Sequence, residues 1–472
     1  MKLNKIIPIL FLSGLIADEG DITDFTLQNG LKVIVMEKHA VPVVSVNLWY
    51  DVGSHDEWDG IRGTAHLFEH MMFRGTPSIP DGDFDRLLKE VGGDLNASTS
   101  DDHTIYYERL PAVNLELALR MEADRMQNLI LNQEILDTER EVVKEEERQR
   151  SANPIQKLIF KYIRSSVPEG HPYAETPIGI MEQLDTVSVA TCQSFYEMYY
   201  APNNAVLVVV GDVTPNKVKQ LSENYFGSIP SSKNLPDNPD LSVPARDKKV
   251  TLQEKSSFDI PVTFMGYQIP PAKHEDIQAL TVLNSILSGG ESSRLPQRLV
   301  RKDKIALFSA GQPYTRQGPG IFIYFAVYFP HIKPDKIAST IIDELEKIKK
   351  NGVTQDELTK AQKQLLASKI FERYSASSLA NSLGSAQLTY GDYREYNKEI
   401  ERFSKVSSDD IKRVANTYFI DKNLMVMHIS PENLGFGKKL MMRLASLFMY
   451  CLLYTSDAAD DTPCVDLGGR RI

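Results

Sequence analysis

The chain has 472 residues, enough for two to four domains of ordinary size, and its 42% hydrophobic and 25% charged residues are typical of a globular protein. A formal net charge of −10 excludes a sequence-independent grip on nucleic acid, which needs basic surface. Three cysteines (Cys192, Cys451 and Cys464) exclude both a disulfide framework and a cysteine-rich zinc site, so a metal would have to use His, Asp or Glu.

At the N-terminus two lysines precede an apolar run from Ile6 to Ala17, and acidic residues follow. Residues 1–19 therefore read as a secretory signal peptide, too short to span a membrane, and predict export, with a bacterial periplasm as the expected location. "FTLQNGLKVIVMEKH" reads as a hairpin turning at Asn29-Gly30, and "VPVVSVNLWYDVGS" and "HTIYYERLP" as further strands. Helical periodicity runs over residues 114–128, 133–150 and 335–349. Strand groups with helices gathered on one face predict an α+β domain.

The segment "HLFEH" carries the chemistry. His66 and His70 are four residues apart, so on a helix they share one face and both imidazoles can reach a single ion. Glu69 borders that face, where a carboxylate can receive a proton from water. This is the HExxH logic with the glutamate moved to the other end. Leu67, Phe68, Met71 and Met72 supply apolar sides for burial. Catalytic zinc takes three protein ligands, and without usable cysteines the third is a carboxylate or another histidine. The helical stretch "LDTEREVVKEEERQR" offers Glu139, Glu141, Glu145, Glu146 and Glu147, and the pattern alone does not choose among them. Glu139 and Glu146 are two turns apart and share a face.

Residues 229–249, "IPSSKNLPDNPDLSVPARDKK", read as an extended linker between residues 20–228 and 250–432. The two parts resemble each other. At an offset of 219, Val187-Ser188, Tyr199 and Asn204 match Val406-Ser407, Tyr418 and Asn423, each in a serine-capped helix, a short turn and an apolar strand. A duplicated domain is the economical reading. Residues 433–450 have no assigned role. Residues 451–472 share no pattern with the rest and resemble a translated sequencing-library adaptor, which predicts an interrupted reading frame.

Beyond these patterns, "HLFEH" with a glutamate 76 positions after His70 is similar to the inverted-motif zinc peptidases of the insulinase and mitochondrial-processing-peptidase family (M16). "GGDLNASTSDDHTIYYERLP" (92–111), "EREVVKEEER" (139–148), "HPYAETPIG" (171–179), "FYEMYYAPNNAVLVVVGDV" (195–213) and "SGGESSRLPQRLVRKDKIALFSA" (288–310) follow the family's order, so the resemblance covers roughly residues 20–430. It implies two homologous α/β-sandwich domains of the LuxS/MPP-like metallohydrolase type: an N-terminal zinc-binding peptidase domain and a C-terminal inactive one. It also implies one Zn2+ per chain held by His66, His70 and Glu146, with Glu69 as general base and Glu139 as an auxiliary carboxylate. Asn96 and Ala97 would line an edge strand to which substrate backbone adds. Arg301 matches a substrate-clamping arginine, whereas Phe308 stands where the family has a tyrosine and has no hydroxyl to donate.

The implied activity is that of a zinc metalloendopeptidase acting on short or unfolded peptides. The implied partners are a second copy, an inactive family subunit or a covalently linked second half. The other reading is a weak or inactive peptide-binding subunit that depends on such a partner.

Overall fold

The computed structural model describes residues 21–443 apart from positions 436 and 439. The signal segment 1–19, the tail 451–472 with its two cysteines, and positions 444–450 lie outside the described residues. Eleven strands are described: β1 (Ile22–Thr26), β2 (Lys32–Glu37), β3 (Val43–Tyr50), β4 (Asp94–Thr99), β5 (Thr104–Pro111), β6 (Ala205–Gly211), β7 (Val250–Ser256), β8 (Val262–Pro271), β9 (Phe308–Tyr314), β10 (Pro319–Val327) and β11 (Leu424–Pro431). The helices in chain order are α1 (Thr64–Met71), α2 (Asp83–Glu90), α3 (Leu115–Asn128), α4 (Gln133–Ala152), α5 (Pro154–Arg164), α6 (Met181–Leu184), α7 (Val189–Tyr199), α8 (Pro215–Phe226), α9 (Asp276–Ser288), α10 (Pro334–Asn351), α11 (Gln355–Glu372), α12 (Ala376–Tyr390), α13 (Glu395–Lys405) and α14 (Ser408–Tyr418).

The chain divides into two compact units that are not its two linear halves. The first runs to Glu147 and adds Glu175–Asp240 and Lys369–Asn397; the second takes Arg148–Ala174, Leu241–Ser368 and the chain from Lys398 on. Residues 230–249, nearly all of the expected linker, carry no helix, and strand β7 opens only at Val250.

The first unit is built on a six-stranded sheet in the order β1-β2-β6-β3-β5-β4. β2 and β6 are parallel and the other pairs are antiparallel. The expected hairpin forms between β1 and β2, with Gly30 at φ +91°, a left-handed conformation that glycine adopts freely. One face of the sheet, carrying Val33, Val35, Val46 and Leu48, packs on Leu67 and Phe68 of α1, Leu119 of α3 and Phe195 of α7. The opposite face presents Ile34, Met36, Trp49, Val206 and Val208, and it is covered by Leu379, Ala380 and Leu383 of α12. The runs "VIVM" and "VLVVV" are apolar at every position because both faces are buried, which corrects the expectation of helices on one face only.

The second unit repeats the plan as β7-β11-β8-β10-β9, again with one parallel pair, β7 with β11. Helices α9, α10 and α14 line one face. Leu158 and Tyr162 of α5 cover the other, where the Tyr162 hydroxyl donates to the Met425 carbonyl at 2.9 Å. The 219-residue offset survives in detail. Asn204 Nδ2 donates to the Tyr199 carbonyl at 2.9 Å and to that of Asp51 at 3.1 Å. Asn423 Nδ2 does the same to Tyr418 at 2.7 Å and Gln268 at 2.9 Å. In both units one asparagine ties the end of the helix to a neighbouring strand and sets the entry of the next one. The duplication is thus structural as well as textual.

Candidate metal centre

Helix α1 is preceded by its N-cap Gly63, whose φ of +100° lies in the left-handed region that favours glycine. Its first turn leaves amides without helical partners. Glu57, buried in the preceding loop, accepts from Gly63 N at 2.8 Å and Ala65 N at 2.7 Å and so anchors that turn, while burial pushes its carboxyl up to about 8 against those two amides. Gly179 of the "TPIG" segment lies against Gly63 so closely that a Cβ on it would stand 2.2 Å from the Gly63 Cα. Further along, Phe68 packs among Phe195, Tyr196 and Tyr200. The face carrying His66 and His70 is therefore held by a buried aromatic cluster behind it.

On the other face the His66 and His70 rings meet edge-on, with centroids 4.8 Å apart. Glu146 reaches them from α4. Its Oε2 lies 3.5 Å from His66 Nε2 and 3.4 Å from His70 Nε2. Among the described residues these three form the cluster able to hold an ion, with their ligand atoms all within 4.8 Å of one another. Zinc–ligand bonds of about 2.0–2.1 Å in a tetrahedral shell put neighbouring donors roughly 3.3–3.4 Å apart, so the donor types fit zinc and the two separations between Glu146 and the histidines match that spacing. Of the five candidate glutamates, Glu146 is the one in this cluster, while Glu141 is exposed and pairs with Lys144 at 3.2 Å.

Glu139, two turns earlier on α4, is buried and places Oε2 3.5 Å from His70 Nδ1. Its other oxygen accepts from the Arg74 guanidinium. Burial alone would raise the Glu139 carboxyl, but His70 and Arg74 outweigh it and hold the group below its ordinary value, hence ionised. Burial likewise would lower the His70 pKa, yet the surrounding Glu139, Glu69 and Glu146 carboxylates raise it. This is a field that favours a cation. Glu69 is shifted upward by burial, against the hydrogen bond it accepts from Thr99 Oγ1 at 2.6 Å.

Beside His70 lies a cavity of about 430 Å3, walled by Phe73, Phe84, Leu95 and Val142 and edged by Arg74 and Asn96. Asn96 and Ala97 sit on β4, the edge strand of the first sheet, paired with β5. Asn96 is exposed and Ala97 is buried. Arg301 and Phe308 belong to the second unit. Arg301 donates to Glu291 Oε2 at 2.7 Å. Phe308 opens edge strand β9, half-exposed, with its ring 5.7 Å from that of Phe325. Four residues around the centre have no role in the sequence reading: Glu57 and Arg74, and Thr99 and Gly179, which lie within quoted segments without being singled out. Arg74 was open to discovery as the residue one turn beyond His70; the others needed the fold.

The family model described as insulinase (peptidase family M16) matches residues 32–179, and that of the peptidase M16 inactive domain matches residues 186–365. A zinc protease of Helicobacter pylori, PqqE, is 34% identical across 86% of this chain and 92% of its own length. The chain belongs to the M16 peptidase family. Within that family it is also similar to an uncharacterized zinc protease of Bacillus subtilis, YmxG, at 25% identity over 87% of this chain and 98% of that one. The crystal structure of a protease from Helicobacter pylori superposes with a TM-score of 0.83 and 32% identity, covering 87% of this chain and all of the other. M16 membership and relatives named as zinc proteases support a peptidase function and point to zinc as the metal.

Proposed function

We propose that this protein is a zinc-dependent endopeptidase for short or unfolded peptides. His66, His70 and Glu146 hold one Zn2+, and Glu69 is the general base. The observation that carries the proposal is the convergence of three donor atoms within 4.8 Å, with the Glu69 carboxyl, raised by burial, on the same helix. When bound, the ion supplies Lewis acidity at the scissile carbonyl. Glu69 accepts a proton from the attacking water and returns it to the departing amine nitrogen. Thr99 holds one Glu69 oxygen during that exchange. Glu139 orients His70 through Nδ1, leaving Nε2 for the metal.

The free edge of β4 at Asn96 and Ala97 supports substrate binding as an added strand. Main-chain hydrogen bonds then carry affinity and side chains matter less, which selects extended over folded substrates. The resemblance gives Arg301, in the second unit, the role of a substrate-clamping arginine. Phe308 cannot add a hydrogen bond there, and this favours a second subunit, or a linked second half, that contributes a complete pair. It also supports a second reading, in which the chain alone is a weak enzyme or a peptide-binding subunit. The basic-then-apolar N-terminus supports export to a periplasm. Among the described residues no helix is long and apolar enough to cross a membrane.

The test is metal content together with cleavage of a quenched unstructured peptide, with and without chelator. Wild type should hold one zinc and lose activity on chelation, and Glu69→Gln should keep its zinc while losing nearly all turnover. Chelator-insensitive cleavage, or full activity in Glu69→Gln, would overturn the assignment. Bound zinc without cleavage would favour the binding-subunit reading.

A further inference from the structure

We infer that Arg74 is a positioning residue of the metal centre. It acts through Glu139 on His70 and thereby sets how tightly the site binds zinc. The inference rests on the reading of His66, His70 and Glu146 as the ligand set.

The His70 imidazole faces a carboxylate on each side. His70 Nε2 points at Glu146 and Nδ1 at Glu139. A histidine binds a metal through one nitrogen only when the other carries the proton, and the partner of that N–H fixes both the tautomer and the plane of the ring. Glu139 is that partner, but a carboxylate on a long side chain does not hold its own orientation. Its backbone is two helical turns from Glu146, and its side chain is almost wholly removed from water, at 3% exposure. Something must fix which oxygen faces His70.

Arg74 does so. It lies four residues after His70, just beyond the end of α1, so its stem rises on the same side as the imidazole. Nε and Nη2 both donate to Glu139 Oε1, the oxygen away from His70, which leaves Oε2 aimed at Nδ1. Asp81 grips the remaining edge of the guanidinium, its Oδ2 3.1 Å and Oδ1 3.4 Å from Nη1. A planar fork bound on two edges has little freedom to rotate. The sequence of contacts Asp81–Arg74–Glu139–His70 is continuous, and every member lies within the first unit. Lysine, a point charge with rotating donors, would keep the ion pair but not the two-pronged hold.

The experiment measures zinc affinity by competition with a chromophoric chelator, using the full chain. Arg74→Met should weaken zinc binding about 10–100-fold, the range seen when a partner of a metal-bound histidine is lost. Arg74→Lys should recover part of that loss, and Asp81→Asn should weaken binding by less than about tenfold. In a Glu139→Gln background Arg74→Met should add little, because the arginine works through that carboxylate. With Co2+ in place of zinc, the visible absorption of Arg74→Met should shift relative to wild type, reporting altered ligand geometry. Melting of the metal-free proteins separates a folding defect from a site defect. If Arg74→Met does not fold, Arg74→Lys and Asp81→Asn carry the same comparison. Wild type that binds zinc tightly while Arg74→Met binds it within about twofold would overturn the inference and leave the ligand set standing. Wild type that binds no zinc would overturn the ligand set itself, and the inference with it.

Discussion

The contact between Gly179 and Gly63 makes a sharp prediction about how helix α1 is seated. Replacing Gly179 by alanine has two separable costs. The first is conformational: Gly179 has φ +77°, and an L-residue held there loses about 1–2 kcal/mol. The second is steric. The new Cβ would lie 2.2 Å from both the Cα and the N of Gly63 and 2.4 Å from the carbonyl carbon of Arg62. All three are backbone atoms, so no side chain can swing aside. The segment must move by about 1 Å, at the roughly 1–3 kcal/mol typical of overpacking. The sum is about 2–5 kcal/mol. For a unit of roughly 200 residues, at 2–4 °C per kcal/mol, melting should fall by about 4–20 °C.

Gly92 provides the control. Its φ is +78°, and a Cβ there meets nothing within 4 Å. Gly92→Ala therefore carries the conformational cost alone, and the difference between the two variants measures the close approach. The displacement in Gly179→Ala falls on the N-cap of α1, three residues before His66, so zinc affinity should also drop in that variant and not in Gly92→Ala. Thermal melts of the metal-free proteins and chelator competition read the two effects. If Gly179→Ala melts within about 2 °C of Gly92→Ala and binds zinc equally well, the account of how α1 is seated is wrong.

Thr99→Val should lower kcat about 10-fold or more with KM and zinc content little changed, since it frees Glu69 without touching the ligands, and Thr99→Ser should restore the rate; unchanged kcat in the valine variant would remove Thr99 from the mechanism. A pH prediction comes from the second unit. Glu357 is gripped by Arg294 through contacts of 2.7 and 2.8 Å, which, with the Thr354 amide, hold its carboxyl down at about 2 against an ordinary 4.5. Its folded pKa is depressed, so its contribution to stability is complete above about 4.5 and is lost as pH falls toward about 2. The stability gap between wild type and Glu357→Gln in urea should accordingly be widest near neutrality and close over that window; a gap independent of pH would refute it.

Much of the architecture was legible because duplication writes the same pattern twice. The serine cap, the tyrosine and the asparagine at a 219-residue offset are the residues that end one element and begin the next, and such boundary residues are chemically constrained. The histidine pair was legible because helical spacing is local. From the residue pattern alone Glu146 was one of five, since a helix rich in glutamate shows which face each residue takes and not what that face meets; it was the family resemblance that singled it out. The placement of α12 and α5 was not legible at all. An apolar helical stripe states that something will cover it, and the identity of the covering sheet depends on chain paths of more than a hundred residues. Gly179 and Glu57 were missed for a related reason: a close backbone approach or a buried cap joins segments that share no periodicity.

The exchange of helices has a consequence for the order of events on the ribosome. The first sheet is complete in sequence once β6 has been made, but the helix that covers its Ile34, Trp49 and Val208 face is α12, beginning at residue 376. At 5–20 residues per second that helix emerges on the order of 10–30 s later. Through that interval the nascent sheet carries an uncovered apolar face, the kind of surface that recruits chaperones or aggregates. Release of a finished first unit therefore waits on the second half of the chain, and a nascent protein that stalls at the 229–249 segment would present an adhesive intermediate in place of an independent domain.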